Sequence, residues 1–252
     1  MIKIVDIKKA FGENEVIKGI TTTFETGKCN LIIGRSGAGK TVLLKILVGL
    51  IQPDQGEIWF DDINVLKLHK KENRKLRNSM GMLFQGSALF DSMRVEENIR
   101  FPLDMFSNMT KKEKDARVDY CLARVDLTGT NKLYPSELSG GMQKRVGIAR
   151  AIVLSPSYLF CDEPNSGLDP KTSIVIDKLI KSITEELNIT TVINTHDMNS
   201  VMEIGEEINF LADGKLVWQG SKEDVLDTDN EQLQNFIFAS PCLQRVREKA
   251  FR

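Results

Sequence analysis

Eight consecutive residues, Gly34-Arg35-Ser36-Gly37-Ala38-Gly39-Lys40-Thr41, match G-x-x-x-x-G-K-[ST], the spacing of a loop whose backbone N–H groups surround a polyphosphate. Glycines permit backbone angles that a Cβ would obstruct. A helix starting behind the loop points its free N–H groups and positive dipole end at the anion. In such a loop Lys40 reaches the β- and γ-phosphates, and the Thr41 hydroxyl is a ligand for Mg²⁺. Four further polar positions each close an apolar run: Gln85 after Met80–Phe84, Asp162 and Glu163 after Tyr158–Cys161, and His196 after the run that starts at Thr190. Asp162 is read as the acid that holds Mg²⁺ through water. Glu163 is placed to orient or deprotonate an attacking water. Gln85 is expected to contact both metal and water, and His196 to contact the γ-phosphate. The second histidine, His69, is read as a surface residue.

The elements that must position these residues are visible as patterns. Cys29–Ile33 reads as a short buried strand, and Val42, Leu43, Ile46, Leu47 and Leu50 recur behind the loop at helical spacing. Strands are expected over 2–7, 16–24, 57–60, 80–84, 158–161 and 190–194. A hairpin is expected at 208–211 and 216–218 around Asp213-Gly214. Between the strands, residues 86–155 change texture to helix. Thr110-Lys111-Lys112-Glu113 has the form of a capping box opening a helix to about Arg124. Ser139 N-caps another, and 172–187 is amphipathic. Strands alternating with helices argue for an α/β fold with a mainly parallel sheet, in which ligands bind beyond the carboxyl ends of the strands. The expected organisation is one domain over 1–252. Residues 1–85 and 156–220 form the nucleotide-binding core and its antiparallel β subdomain, 86–155 an inserted α-helical subdomain that could move as a unit, and 221–252 a helical, basic tail.

Bulk properties narrow the classes. A chain of 252 residues with 41% hydrophobic and 27% charged residues is ordinary globular material. Its net charge of −1 argues against nucleic acid as a partner. The four cysteines (Cys29, Cys121, Cys161, Cys242) are scattered without a C-x-x-C pair. Cys29 and Cys161 are expected to be core residues in a reducing compartment. Met1-Ile2-Lys3-Ile4 is expected to open directly into a strand rather than a leader, and no apolar run approaches the roughly 20 residues of a spanning helix. Lys67, Lys70, Lys71, Arg74, Lys75 and Arg77 stand against a single acid, Glu72. They are read as a solvated helix face, with contact to anionic lipid heads as the sharper alternative.

A second stretch, Leu138-Ser139-Gly140-Gly141-Met142, places a serine cap and two glycines at a helix start, another anion-binding terminus. It lies about twenty residues before Asp162. The order phosphate loop, Gln85, Leu138–Gln143, Asp162-Glu163-Pro164, Ser166-Gly167-Leu168-Asp169, His196 resembles the ATPase subunit of an ABC transporter, and the resemblance covers nearly the whole chain. It implies a RecA-like P-loop NTPase core, ATP and Mg²⁺ as ligands, and a homodimer with ATP between two copies. By position, Phe11 would stack on adenine, Asp169 would signal across the dimer interface, and Ser139, Gly140 and Gly141 would face the γ-phosphate held by the other copy. Asn165 stands where the family usually has Thr, a position that is not catalytic.

A finer similarity is to the Mce/Mla-type lipid transport ATPases. It rests on Lys40–Lys45, Phe84–Met93, Val95-Glu96-Glu97-Asn98, Phe101-Pro102-Leu103 and Gly141–Val146. That family implies phospholipid transport between membranes, a membrane permease docking near residues 85–105, an Mce-type lipid-binding protein on the periplasmic side, and a peripheral location on the cytoplasmic face of the inner membrane. The alternatives are the same engine on another importer or exporter, an ATPase of a soluble assembly machine such as one for iron–sulfur clusters, and a non-catalytic ATP-binding module.

Overall fold

The computed structural model describes residues 1–238. Arg245, Arg247, Lys249 and Arg252 of the expected basic tail, and Cys242, lie outside the described residues. Two sheets share the molecule. The first is antiparallel, in the order β2-β1-β4-β5, from β1 (Ile2–Phe11), β2 (Asn14–Phe24), β4 (Gln55–Phe60) and β5 (Ile63–Asn64). The second has six strands in the order β10-β9-β3-β8-β7-β6. These are β3 (Cys29–Ile33), β6 (Met80–Leu83), β7 (Tyr158–Asp162), β8 (Thr190–Thr195), β9 (Glu207–Ala212) and β10 (Lys215–Gly220). All its neighbours pair in parallel except the β9–β10 hairpin. The α/β class and the N-terminal antiparallel sheet stand as expected.

The out-of-phase alternation of the first strand has a physical cause. Asp6 adopts φ 49°, and the β1–β2 register shifts between Ile4 and Ile7, a bulge that adds one residue and returns Ile7 to the inward face. Ile2, Ile4 and Ile7 are therefore all buried, and the strand continues past residue 7 to Phe11.

Successive strand residues point to opposite faces, and the parallel strands use both. Leu31, Ile33, Leu159, Cys161 and Ile193 join one core with the helices α3 (Val95–Phe106), α4 (Lys111–Arg124), α5 (Gly140–Ile152) and α6 (Pro170–Leu187). Ile32, Phe160 and Val192 join another with α1 (Lys40–Leu47) and the antiparallel sheet. A sheet covered on both faces explains why its strands read as nearly continuous apolar runs. Cys29 and Cys161 are fully buried in these strands, and burial pushes the Cys29 thiol up to about 12.

Local chemistry sets the helix ends. Thr110 Oγ1 accepts from Glu113 N–H while Glu113 Oε2 accepts from Thr110 N–H, the predicted capping box. Asp169 caps α6, accepting from the N–H groups of Lys171 and Thr172, so that helix begins at Pro170. The basic stretch forms α2 (Lys70–Asn78), with Lys70, Lys71, Arg74, Lys75 and Arg77 exposed, and His69 is exposed before it. Three short helices follow in the last part of the chain: α7 (Met198–Ile204), α8 (Lys222–Leu226) and α9 (Glu231–Ile237). No helix among the described residues is long and apolar enough to cross a membrane.

Candidate active site

The sheet order itself gathers the site. β3, β8, β7 and β6 are consecutive neighbours and all parallel. Their carboxyl ends therefore share one edge, and those ends lead into the phosphate loop, His196, Asp162-Glu163 and Gln85.

The loop's shape depends on glycine. Gly34 has φ 147°, and a Cβ there would lie 2.2 Å from the Leu211 carbonyl oxygen. Gly39 has φ 97° at the N-cap of α1, where a Cβ would meet Ile17 Cδ1 at 2.7 Å. Arg35, Ser36 and Gly37 form the exposed crest, while Ala38 and Lys40 are buried behind it. The Lys40 ammonium donates to the carbonyls of Gly34 at 2.8 Å and Arg35 at 3.1 Å. Burial lowers its pKa, against the opposing pull of Glu163 and Asp162. A partly desolvated cation at a helix N-terminus is an anion receptor.

Beneath the loop, Asp162 Oδ1 accepts from the Thr41 hydroxyl at 3.4 Å and from the Asn194 amide at 2.6 Å, and the same amide donates to Thr41 Oγ1 at 3.2 Å. Thr41 and Asp162, assigned to one metal from sequence, thus stand together. Two hard oxygen donors, the Thr41 hydroxyl and the Asp162 carboxylate, fit a small hard cation that keeps several waters, while Gln85 stands beside Glu163.

Gln85, Glu163 and His196 also meet. Glu163 Oε2 accepts from Gln85 Nε2 at 3.0 Å, and Glu163 Oε1 lies 3.1 Å from His196 Nδ1. The carboxylate is therefore held on both oxygens at the rim of the site. Its backbone is strained, with φ 46° at a non-glycine residue, and its N–H donates to the Asn194 carbonyl at 2.8 Å. Strain of this kind persists only where the surroundings enforce it, and it concentrates at functional sites.

The remaining predicted residues lie apart from this pair of clusters. Ser139 N-caps α5 by accepting from Met142 N–H at 3.3 Å. Gly140 and Gly141 pack against the start of α6, where a Cβ on Gly141 would sit 2.6 Å from Thr172 Cγ2. Asp169 is beside them, its carboxyl held below the usual range by hydrogen bonds from the Thr172 hydroxyl and the backbone N–H groups it caps. Phe11 is half exposed at the end of β1 with Lys9 Nζ 5.4 Å from its ring centre. Within one chain the Ser139 segment thus faces Asp169 and not the phosphate loop.

Two residues that join these elements carry no motif in the sequence. Asn194, fully buried, ties Thr41 to Asp162. Lys144, on the second turn of α5, is buried and donates to the Gln85 carbonyl, joining the Ser139 helix to the Gln85 loop. The signal for Asn194 was an amide in the otherwise apolar and β-branched run Thr190–Thr195.

Comparison with known proteins agrees with this geometry. Residues 17–166 match the family model for the ABC transporter. The chain belongs to that family. It is 37% identical over 94% of its length to a Mycobacterium tuberculosis protein named as the ribonucleotide transport ATP-binding protein mkl, and it spans 66% of that relative's length. It is 41% identical to the methionine import ATP-binding protein MetN of Clostridium tetani, over 94% of this chain and 74% of that one. It is 35% identical to the intermembrane phospholipid transport system ATP-binding protein MlaF of Haemophilus influenzae, over 94% of this chain and 90% of that one. Among solved structures, the cassette MJ0796, described as a dimer in a post-hydrolysis state bound to ADP and Pi, matches with a TM-score of 0.79 and 32% identity over 88% of this chain and 99% of that one.

Proposed function

We propose that this chain is the ATP-hydrolysing subunit of a membrane transporter, acting as a pair of copies, and that it powers phospholipid movement between membranes. The observation that carries the ATPase reading is the Glu163 carboxylate held between Gln85 and His196 at the edge where the phosphate loop also ends. ATP would lie on residues 34–41 with its γ-phosphate toward Glu163. Glu163 then accepts a proton from water as the water oxygen bonds to the γ-phosphorus and the bridging oxygen leaves with ADP. Mg²⁺, held by Thr41, Gln85 and (through water) Asp162, would neutralise charge on the β- and γ-phosphates. Lys40 adds the fixed positive charge and His196 a contact to the γ-phosphate. Ser139, Gly140 and Gly141 would meet the ATP of a second copy, with Phe11 against the adenine. The dimeric form described for MJ0796 supports that arrangement.

A permease surface is available beside Gln85. A groove of about 780 Å³ is lined by Leu50, Met80, Phe84, Phe90, Phe101 and Phe106. Phe84, Phe90 and Phe106 are 38%, 41% and 45% exposed, an apolar cluster of the kind that marks an interaction site. A permease helix seated there would lie next to the loop that holds Gln85. The lipid assignment rests on the Mce/Mla-type motif texture and on the likeness to MlaF, and it extends to an Mce-type lipid-binding partner and a place on the cytoplasmic face of the inner membrane. Purification of the full chain from solubilised membranes with its permease, followed by identification of the carried small molecules, tests it. Phospholipid in the complex supports the reading, and a bound amino acid or nucleotide with no phospholipid overturns the lipid part alone.

A further inference from the structure

A buried polar cluster lies behind the active-site loops. Asn165 follows Glu163 by two residues, and its Nδ2 group donates to Asp177 Oδ1 at 2.8 Å and to Ser200 Oγ at 2.9 Å. Three segments meet at this one amide: the loop bearing Glu163, the helix α6, and α7, whose N-cap Asp197 directly follows His196. Asp177 and Ser200 are 1% exposed and Asn165 is 9%. Core packing alone does not account for such a trio. Burying polar groups is costly unless they are hydrogen-bonded. Asp177 lies among Ile176, Ile180 and Ile183 on the buried face of α6, where an apolar residue would pack without that cost. Asn165 Oδ1 has no partner among the described residues, so the amide is oriented wholly by its two donated bonds.

The charged surroundings of Asp177 are uneven. Asp197 and Glu203 face it from α7, Glu203 being paired with Lys178 at 3.3 Å, and Cys161 approaches from β7. Burial, with a smaller push from Asp197 and Glu203, raises its carboxyl to about 6 against the hydrogen bonds from Asn165 and Ser200, which favour the charged form. The group is costly to keep as a carboxylate, yet it anchors the amide nearest the strained Glu163 backbone.

We propose that Asn165, Asp177 and Ser200 form a positioning device that locks the Glu163 loop to the His196 loop and so sets the 3.1 Å Glu163–His196 contact used in turnover. The three residues are buried behind the carboxylate and act through Glu163. The inference rests on the catalytic reading of Glu163 above, and the experiment separates the two. ATPase turnover, KM for ATP and Tm at pH 8 are measured on the full chain for Asp177→Leu, Ser200→Ala and, alongside, Glu163→Gln. Small misplacements of a catalytic group cost up to about a hundredfold in rate. Asp177→Leu and Ser200→Ala each remove an acceptor of the Asn165 amide and are therefore expected to lower kcat by about tenfold or more with KM essentially unchanged. Asp177→Leu is also expected to hold or raise Tm, because it removes a buried charge from an apolar helix face. Activity and stability moving in opposite directions is a result that a purely structural role does not give. If kcat and Tm fall together in both variants, or if kcat stays at the parent value while Glu163→Gln is inactive, the positioning role is overturned and the catalytic reading stands. If Glu163→Gln itself turns over normally, both fall.

Discussion

The Asn194 amide donates to the Asp162 carboxylate at 2.6 Å and to the Thr41 hydroxyl at 3.2 Å, so one side chain on β8 fixes two of the three proposed oxygen ligands for Mg²⁺. Its own Oδ1 has no partner among the described residues. An amide buried in a strand interior with one end free is retained for what the other end holds.

That contact predicts a metal phenotype. Asn194→Leu leaves Asp162 without its short donor, at about 1.5–3 kcal/mol for a charge-assisted bond, and frees Thr41 to rotate. The Mg²⁺ concentration needed for half-maximal ATPase activity should rise by about tenfold or more, with ATP affinity in the absence of Mg²⁺ much less affected. A Mg²⁺ titration of turnover that superimposes on the parent curve would remove Asn194 from the site.

Glu163→Gln keeps the volume and the contact with Gln85 but loses the proton acceptor. Turnover should drop by about 10²–10³-fold, the scale of losing one preorganised transition-state contact. With hydrolysis slowed and the γ-phosphate still bridging two copies, ATP should shift the protein to a dimer on size exclusion. A variant that hydrolyses normally and stays monomeric with ATP would refute both roles.

Lys40→Ala should act on binding instead. Lys40 is a buried cation whose ammonium already faces the loop carbonyls, and it supplies the positive charge at the phosphate end of the site. Nucleotide affinity, measured by calorimetry on the full chain, should fall by about tenfold or more for ATP. Unchanged affinity with lost turnover would move Lys40 from the binding to the chemical step.

The site was legible where residue type and chain position carry the chemistry together. The phosphate loop, Gln85, Asp162-Glu163 and His196 each follow an apolar strand, and parallel strands deliver such residues to one edge. What the sequence did not carry was the connecting hardware. Asn194 and Lys144 are polar residues inside elements, and nothing local distinguishes a buried amide that grips Asp162 from one that turns to solvent. The strand order β3-β8-β7-β6, which makes the four ends adjacent, depends on pairing between segments far apart in sequence, Cys29 with Thr191 and Met80 with Tyr158. The bulge at Asp6 was visible only as a broken alternation, since an aspartate at φ 49° leaves no fixed pattern in sequence.

The buried carboxyl of Asp177 predicts a pH-dependent stability term. Its folded pKa is raised from 3.8 to about 6, chiefly by burial. The folded protein therefore binds a proton more readily than the unfolded chain, and this group's contribution falls as pH rises from about 4 through about 6. The loss is at most about 3 kcal/mol at about 1.4 kcal/mol per unit. The difference in unfolding free energy between Asp177→Asn and the parent should be small near pH 4 and grow in favour of the variant by pH 8. Chemical denaturation at both pH values measures it, and a constant difference would show that Asp177 ionises as freely when folded as when unfolded.

Phe106 is exposed on α3, with the Arg74 guanidinium 5.9 Å from its ring centre, and it makes none of the hydrogen bonds that hold Glu163. Phe106→Glu places a charge in an apolar surface without opening a cavity in either core, so the isolated chain should keep its fold and its basal ATPase activity. A permease helix seated in the groove would have to bury that carboxylate, a desolvation cost that pairing with the neighbouring Arg74 only partly offsets. Co-purification of the permease should therefore be lost, and with it any stimulation of ATPase activity by the assembled transporter. Retention of the permease at parent levels would place the docking surface elsewhere. Loss of basal activity without loss of the permease would show instead that Phe106 supports the Gln85 loop from behind.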